Sequence, residues 1–298
     1  MDVNGDGKMD VLSGSYSRMD KDMAGLFQVL WGEGEGKYKK AEPLNGTDGA
    51  PLIIPLDPAQ EDNIIVRICT RPTAVDFDGD GDLDIVSGNF EGTFYLFAGE
   101  GGGKFAPVAT PLLDTKGAAL QVEMHSDPFF VDWDGDGDLD LLSGSATGGV
   151  YLAKNVGTRS APAFERFQTL IEHAGQHGGQ NNVSVDDSHI KVPQSATRIW
   201  VDDVNGDGKG DLLVGDTVTL ITPAEGVSLE DATAKYAALM ERQMEIFGAP
   251  PKDFDSLSEE EQQKFYDEQS AKYEAFEAEV SKVVQRESTG FVWVYHRK

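Results

Sequence analysis

The chain has 298 residues, 39% of them hydrophobic and 26% charged, and a net charge of −27. That composition describes a soluble globular chain of one or two domains, and the charge excludes nucleic acid as a partner. No apolar run reaches membrane-spanning length, and no basic segment followed by an apolar one marks a signal peptide.

The first element starts at Asp2. Residues Asp2 to Asp10 read DVNGDGKMD and run into the short apolar VLSG. The same nine-residue pattern returns at Asp76–Asp84 (DFDGDGDLD, then IVSG), Asp132–Asp140 (DWDGDGDLD, then LLSG) and Asp203–Asp211 (DVNGDGKGD, then LLVG). Each copy has Asp or Asn at positions 1, 3 and 5, Gly at 4 and 6, and Asp at 9. Carboxylates this crowded repel one another unless a cation sits among them. Hard oxygen donors at alternating positions suit Ca²⁺, and glycine at position 6 allows the turn that folds them inward. An EF-hand would need a bidentate Glu at position 12. Ser13, Ser87, Ser143 and Val214 stand there instead. Apolar segments flank the loops on both sides, so the unit is strand, loop, strand.

The copies recur about every 55–75 residues, a spacing that fits propeller blades with long loops. A third strand aligns in each repeat: Gly25–Gly32, Gly92–Gly99 and Gly148–Asn155. A turn and a fourth strand follow, with Tyr38, Phe105 and Phe164 recurring as packing aromatics. Cys69, the only cysteine, excludes an internal disulfide and thiolate zinc sites, and reads as a small buried residue in the strand-like IIVRICT. Two irregular connections run over Asn45–Glu61 and Ala174–Ser188. His173 and His177 stand at the start of the second, with Asp186 and Asp187 near its end, a conceivable transition-metal or acid–base group that its glycines disfavour.

The fourth repeat is interrupted. Ser228 with Asp231, and Ser258 with Glu261, read as helix N-caps. They predict helices over about 229–247 and 259–286, the first ending at Gly248 before Pro250 and Pro251. Their apolar stripes are Leu229, Tyr236, Met240, Met244 and Phe247, and Phe265, Tyr273, Phe276, Val280 and Val283. The closing Gly290-Phe291-Val292-Trp293 aligns with Gly92-Thr93-Phe94-Tyr95 as a third strand. The expected organisation is therefore all-β: a β-propeller of four-stranded blades over 1–225, an inserted helical hairpin over 226–287, and a final propeller strand over 288–298. The chain starts and stops within a blade, so a larger parent propeller is expected.

The loop D-x-[DN]-x-D-G-x-x-D between two strands resembles the FG-GAP/VCBS repeat family, the calcium-loop blades of integrin α-subunit propellers and of many secreted bacterial proteins. The resemblance implies up to four Ca²⁺. Carried onto this sequence, the ligands are Asp2, Asn4, Asp6, the Lys8 carbonyl and Asp10 in loop 1. In loop 2 they are Asp76, Asp78, Asp80, the Asp82 carbonyl and Asp84. In loop 3 they are Asp132, Asp134, Asp136, the Asp138 carbonyl and Asp140. In loop 4 they are Asp203, Asn205, Asp207, the Lys209 carbonyl and Asp211. The apolar residue at position 2 (Val3, Phe77, Trp133, Val204) is expected to pin each loop against a neighbouring blade.

The leading functional expectation is a non-enzymatic binding or adhesion module, secreted, periplasmic or on the cell surface, with a protein or glycan partner and no membrane span. A carbohydrate-binding or carbohydrate-active propeller is the alternative, with Trp31 and His125 as exposed candidates by position. A scaffold docking through the acidic helical hairpin is the third.

Overall fold

The computed structural model describes residues 1–15, 25–55, 67–174, 183–246, 254 and 257–298. They form a β-propeller of four successive blades, with two helices toward the C-terminus. Two compact units divide the chain. The first is Met1–Gly175, Val192–Asp216 and Phe291–Lys298, and the second is Gln176–Lys191 and Thr217–Gly290.

In the first unit, blade 1 joins β1 (Val11–Ser13), β2 (Gln28–Leu30) and β5 (Glu42–Pro43), with β3 (Gly32–Gly34) and β4 (Lys37–Tyr38) as a side hairpin. Blade 2 runs β6 (Arg71–Val75), β7 (Asp84–Gly88), β8 (Phe94–Phe97), β9 (Thr110–Pro111). Blade 3 runs β10 (Asp127–Val131), β11 (Asp140–Gly144), β12 (Val150–Ala153), β13 (Gln168–Ile171). Blade 4 contains β14 (Ser195–Asp202), the first half of β15 (Asp211–Pro223), and β17 (Val292–Tyr295). Every nine-residue loop leads into a strand whose first turn of register is the same: Val11 faces Leu30, Ile85 faces Phe97, Leu141 faces Ala153 and Leu212 faces Tyr295. The third-strand alignment read from the sequence, including the closing strand, is thus the pairing register itself.

The core lies in layers between consecutive blades. Phe27 and Val29 of blade 1 meet Ile85, Phe97 and Phe105 of blade 2. Val86 and Phe94 of blade 2 meet Leu141 and Phe164 of blade 3. Leu142 and Leu152 of blade 3 meet Ile199 and Val214 of blade 4. Alternation along each strand sends successive side chains to opposite neighbours, so both faces of a central blade are apolar. Full burial of one such Phe contributes about 2–3 kcal/mol.

In the second unit, the other half of β15 pairs with β16 (Val284–Thr289) from Val218↔Thr289 to Pro223↔Val284. Helices α1 (Leu229–Ile246) and α2 (Glu259–Val280) complete it. Ser228 caps α1 through the Asp231 N–H (3.1 Å), and Ser258 with Glu261 makes a full capping box on α2. The shared core is Ala232, Tyr236, Leu239, Phe276, Val280 and Val284, set against Ile221.

Several expectations are corrected. Helix α2 stops at Val280 rather than near 286, because Val284–Thr289 satisfies its backbone on β15 instead. Leu229 and Tyr273 are exposed, so the buried stripe is narrower than the apolar periodicity. Phe247, Gly248, Pro250 and Pro251 lie outside the described residues. Cys69 is buried, but in a bend with φ +52°, not in a strand. Phe105 and Phe164 are buried and bridge Gly99 and Asn155; Tyr38 bridges the equivalent Gly32 yet is exposed. The two phenylalanines pack toward the preceding blade, and blade 1 offers Tyr38 no such face among the described residues.

Candidate metal loops and the blade junctions

Each loop turns on its two glycines, all with positive φ: Gly5 and Gly7, Gly79 and Gly81, Gly135 and Gly137, Gly206 and Gly208. That left-handed backbone is open to glycine at little cost and folds the N–H groups of positions 4 to 7 toward the acidic side chains. In loop 1, Asp6 and Gly7 donate to the two oxygens of Asp2 (3.0 and 2.8 Å) and Lys8 donates to Asp6. In loop 3, Gly135 and Gly137 donate to the two oxygens of Asp132 (2.8 and 3.1 Å), and Asp138 donates to Asp136. In loop 4, Gly206 and Gly208 donate to Asp203 (both 2.8 Å), and Lys209 donates to Asp207. In loop 2, Asp80 and Asp82 donate to Asp78 and Asp80.

Carboxylates converge in two of the four loops. Asp76, Asp78 and Asp84 bring oxygens within 4.8 Å of one another, and so do Asp132, Asp134 and Asp136. Asp76 Oδ1 is buried and lacks a hydrogen-bond partner. These groups fit a hard cation: oxygen donors only, mutually repelling, with one orphaned. Loops 1 and 4, with Asn4 and Asn205 at position 3, form no such triad of acids among the described residues.

The Asp at position 9 has a second task. Asp84 is buried, and its two oxygens accept the N–H of Phe77 and of Gly99, both at 2.7 Å. Asp10 accepts from Val3 and Gly32 (2.8 and 2.7 Å), and Asp140 from Trp133 and Asn155 (3.0 and 2.8 Å). One carboxylate therefore ties position 2 of its loop to the end of the third strand. Burial, with Asp78 and Asp80 adding repulsion, pushes the Asp84 carboxyl up; burial with Asp134 and Asp136 does the same to Asp140. Once this latch is closed, position 2 turns inward. Val3 and Phe77 are buried, and Trp133 packs between blades 3 and 4 with the Arg297 guanidinium 4.8 Å above its ring.

Loop 4 keeps one half of this latch and changes the other. Asp211 accepts from the Arg297 N–H (3.0 Å) at the end of the third strand, as the other position-9 acids do from Gly32, Gly99 and Asn155. Val204 at position 2, however, is 48% exposed with its N–H on the Asp202 carbonyl (3.1 Å), and His296 Nδ1 lies 3.1 Å from the other oxygen of Asp211. Burial opposes ionisation of Asp211, but His296 and the Arg297 N–H hold it below the usual carboxylate value. Side-chain cations also approach the two acidic triads. Arg159 pairs with Asp76 (3.1 Å) and Lys154 with Asp134 (2.9 Å), which lowers the Asp134 pKa.

The sequence reading missed the joints between blades. Gly14, Gly88 and Gly144 stand at the ends of the strands that follow loops 1, 2 and 3. A Cβ on any of them would overlap the carbonyl of Thr70, Ser126 or Thr197, at the head of the inner strand of the next blade. The residue after each glycine donates its N–H to that same Thr or Ser hydroxyl: Ser15 to Thr70 (3.0 Å), Asn89 to Ser126 (2.9 Å), Ser145 to Thr197 (2.9 Å). A recurring Ser or Thr six positions before loops 2, 3 and 4 is the signal that could have found it. Of the other candidates, Trp31 is half-buried with its indole N–H on Glu42 (2.5 Å), and His125 is half-buried beside Arg71. His177 lies outside the described residues.

A search of curated proteins finds no match to this chain. Residues 76–143, from the first acid of loop 2 to the strand after loop 3, match the FG-GAP-like repeat.

Proposed function

We propose that the chain is a calcium-stabilised β-propeller serving as a binding module outside the cytosol, at the cell surface, in an envelope compartment or secreted. The observation that carries it is the convergence of Asp76, Asp78 and Asp84, and of Asp132, Asp134 and Asp136, on glycine-turned loops. Ca²⁺ bound there would supply the charge that offsets the repulsion among these acids. The chain's own part is positioning. The glycine turns present the oxygens, and the position-9 latch fixes each loop to its own blade. Loops 1 and 4 offer the same pattern with one carboxylate fewer, so they belong to weaker sites. Extracellular calcium modules work at Kd of about 10⁻⁴–10⁻³ M, so loops of that class fill outside the cell and stay empty within it. Calcium is then structural and the partner, a protein or a glycan, binds elsewhere.

Calorimetric melting tests this. Chelation should lower the Tm substantially, and Ca²⁺, not Na⁺, should restore it. A melting curve indifferent to both would sink the proposal. Carbohydrate binding is a second reading, favoured by a groove of about 570 Å³ in the first unit, lined by Tyr151, Phe167, Arg166, Glu123 and Gln121. Aromatic faces beside mixed polar groups suit a sugar ring, and a glycan array with and without calcium would separate the readings.

A further inference from the structure

In the inner strands of blades 2, 3 and 4 a charged residue directly follows the joint hydroxyl: Arg71 after Thr70, Asp127 after Ser126, Arg198 after Thr197. Before each hydroxyl stands a non-glycine residue in the left-handed region: Cys69 (φ +52°), His125 (+50°) and Ala196 (+52°). Such a backbone is costly for a residue with a Cβ, and its recurrence at one position of three blades means the joints impose it. The outcome is that three charges from three blades meet at the end of the inner strands away from the metal loops. Arg71 Nη1 is 4.0 Å and Arg198 Nε 3.5 Å from the two oxygens of Asp127.

Two guanidiniums therefore share one carboxylate. Among the described residues, the groups that act electrostatically on Arg71 are Arg198, Asp127 and Cys69, with no second acid. His125 brings no anion either. Its ring stacks on Phe90 (4.5 Å) and its Nδ1 sits 3.3 Å from Arg71 Nη2. Burial and the two arginines hold that imidazole below its ordinary pKa, hence neutral. Among the described residues, Arg71 Nη1 is buried and has no hydrogen-bond partner. A buried, unpaired guanidinium donor is costly, and in a chain of −27 a local excess of positive charge is out of character. Arg198, more exposed, points its Nη1 at the Thr197 carbonyl (2.9 Å). Two positions along the same strand, Trp200 is 59% exposed, with one edge against Phe129 (5.4 Å).

We propose that Arg71 and Arg198 form an oxyanion site at the head of the inner strands, taking a carboxylate or sulfate-type group carried on a flat apolar body that rests against Trp200. Guanidinium pairs bind planar and tetrahedral oxyanions through charge-assisted hydrogen bonds, and an exposed indole supplies the apolar platform. Asp127 holds the two arginines apart and leaves one positive charge for the ligand.

The site does not depend on the calcium reading, since chelation reports on the loops and oxyanion titration on this cluster. The experiment is isothermal titration of the full chain at low ionic strength with two probes, sodium sulfate and sodium benzoate. One saturable site is expected for each. Arg198→Gln, at a half-exposed position that folding tolerates, should weaken both by about ten-fold. Trp200→Ala should weaken benzoate by about ten-fold and leave sulfate unchanged, which separates the oxyanion from its carrier. Absence of saturation with both probes, or equal binding by wild type and Arg198→Gln, overturns the proposal.

Discussion

Loops 3 and 4 share five of their nine residues, both glycines and three aspartates, and differ in what they do. Loop 3 gathers Asp132, Asp134 and Asp136, latches Trp133 through Asp140, and packs that indole against blade 4. Loop 4 keeps the glycine turns, the Asp203 hydrogen bonds and the tie from Asp211 to the third strand at Arg297, yet Val204 faces solvent and His296 stands at the other oxygen of Asp211. Gly144, ending the strand after loop 3, is jammed against the Thr197 carbonyl, while nothing lies within 4 Å of the Cβ position of Gly215. The difference teaches that the nine residues encode a turn and a set of oxygens. The latch and the joint are completed by what packs beside them.

The largest expected effect breaks this comparison at its joint. Gly144→Ala and Gly88→Ala should each destabilise by about 3 kcal/mol or more, since backbone must shift to admit the methyl group. Gly215→Ala should change stability by less than about 0.5 kcal/mol. Urea titration of the three variants checks this, and equal losses would show that the joints are not specific. Next is the latch. Asp140→Ala leaves the buried Trp133 and Asn155 N–H groups unpaired, for a loss of about 2–3 kcal/mol. Asp211→Ala should cost less, because the Val204 N–H keeps the Asp202 carbonyl and the Arg297 N–H is the one left without its acceptor.

A smaller effect concerns Lys154, which occupies an oxygen of Asp134. Lys154→Met should tighten calcium at loop 3 by about ten-fold, roughly 1.4 kcal/mol, and leave loop 4 unchanged. Calcium titration of the variant against wild type measures it; an unchanged affinity would mean that Lys154 does not compete. The smallest effect is a pH slope. His125 has a folded pKa depressed below its ordinary 6.5, so the unfolded chain binds the proton more readily. Stability should therefore be full above about pH 6.5 and fall as pH drops below it. His125→Asn, which tolerates positive φ, should flatten that slope in denaturation curves taken across the range.

Much of the fold was legible because its signals are local. Asp or Asn at four fixed positions with two glycines in nine residues announce a turn, and the flanking apolar segments announce strands. Gly92-Thr93-Phe94-Tyr95 and Gly290-Phe291-Val292-Trp293 could be aligned because period-two side chains leave little choice of register. The joints were not legible. Their halves lie 55, 37 and 52 residues apart, and they are built from Gly, Ser and Thr, which are common everywhere. The triad Arg71, Asp127 and Arg198 stayed hidden because its members differ in charge and lie on three blades. The end of α2 was misplaced because Val283 continues the helical stripe, while Val284 onward finds partners on a strand more than sixty positions earlier. Val204 was expected to be buried like Val3, and only the packing shows that it is not.

The glycine-to-hydroxyl joint has one more consequence. Blades 2 and 3 each carry both halves, a glycine behind for the next blade and a Thr or Ser in front for the one before, and the same geometry recurs at all three junctions. Blades are in this respect interchangeable parts. A segment copied from one inner strand to the next arrives with both of its couplings, so a gene could lengthen or shorten such an array by whole repeats without inventing a new interface. A cut elsewhere would separate the two halves and leave a blade with nothing to fasten to.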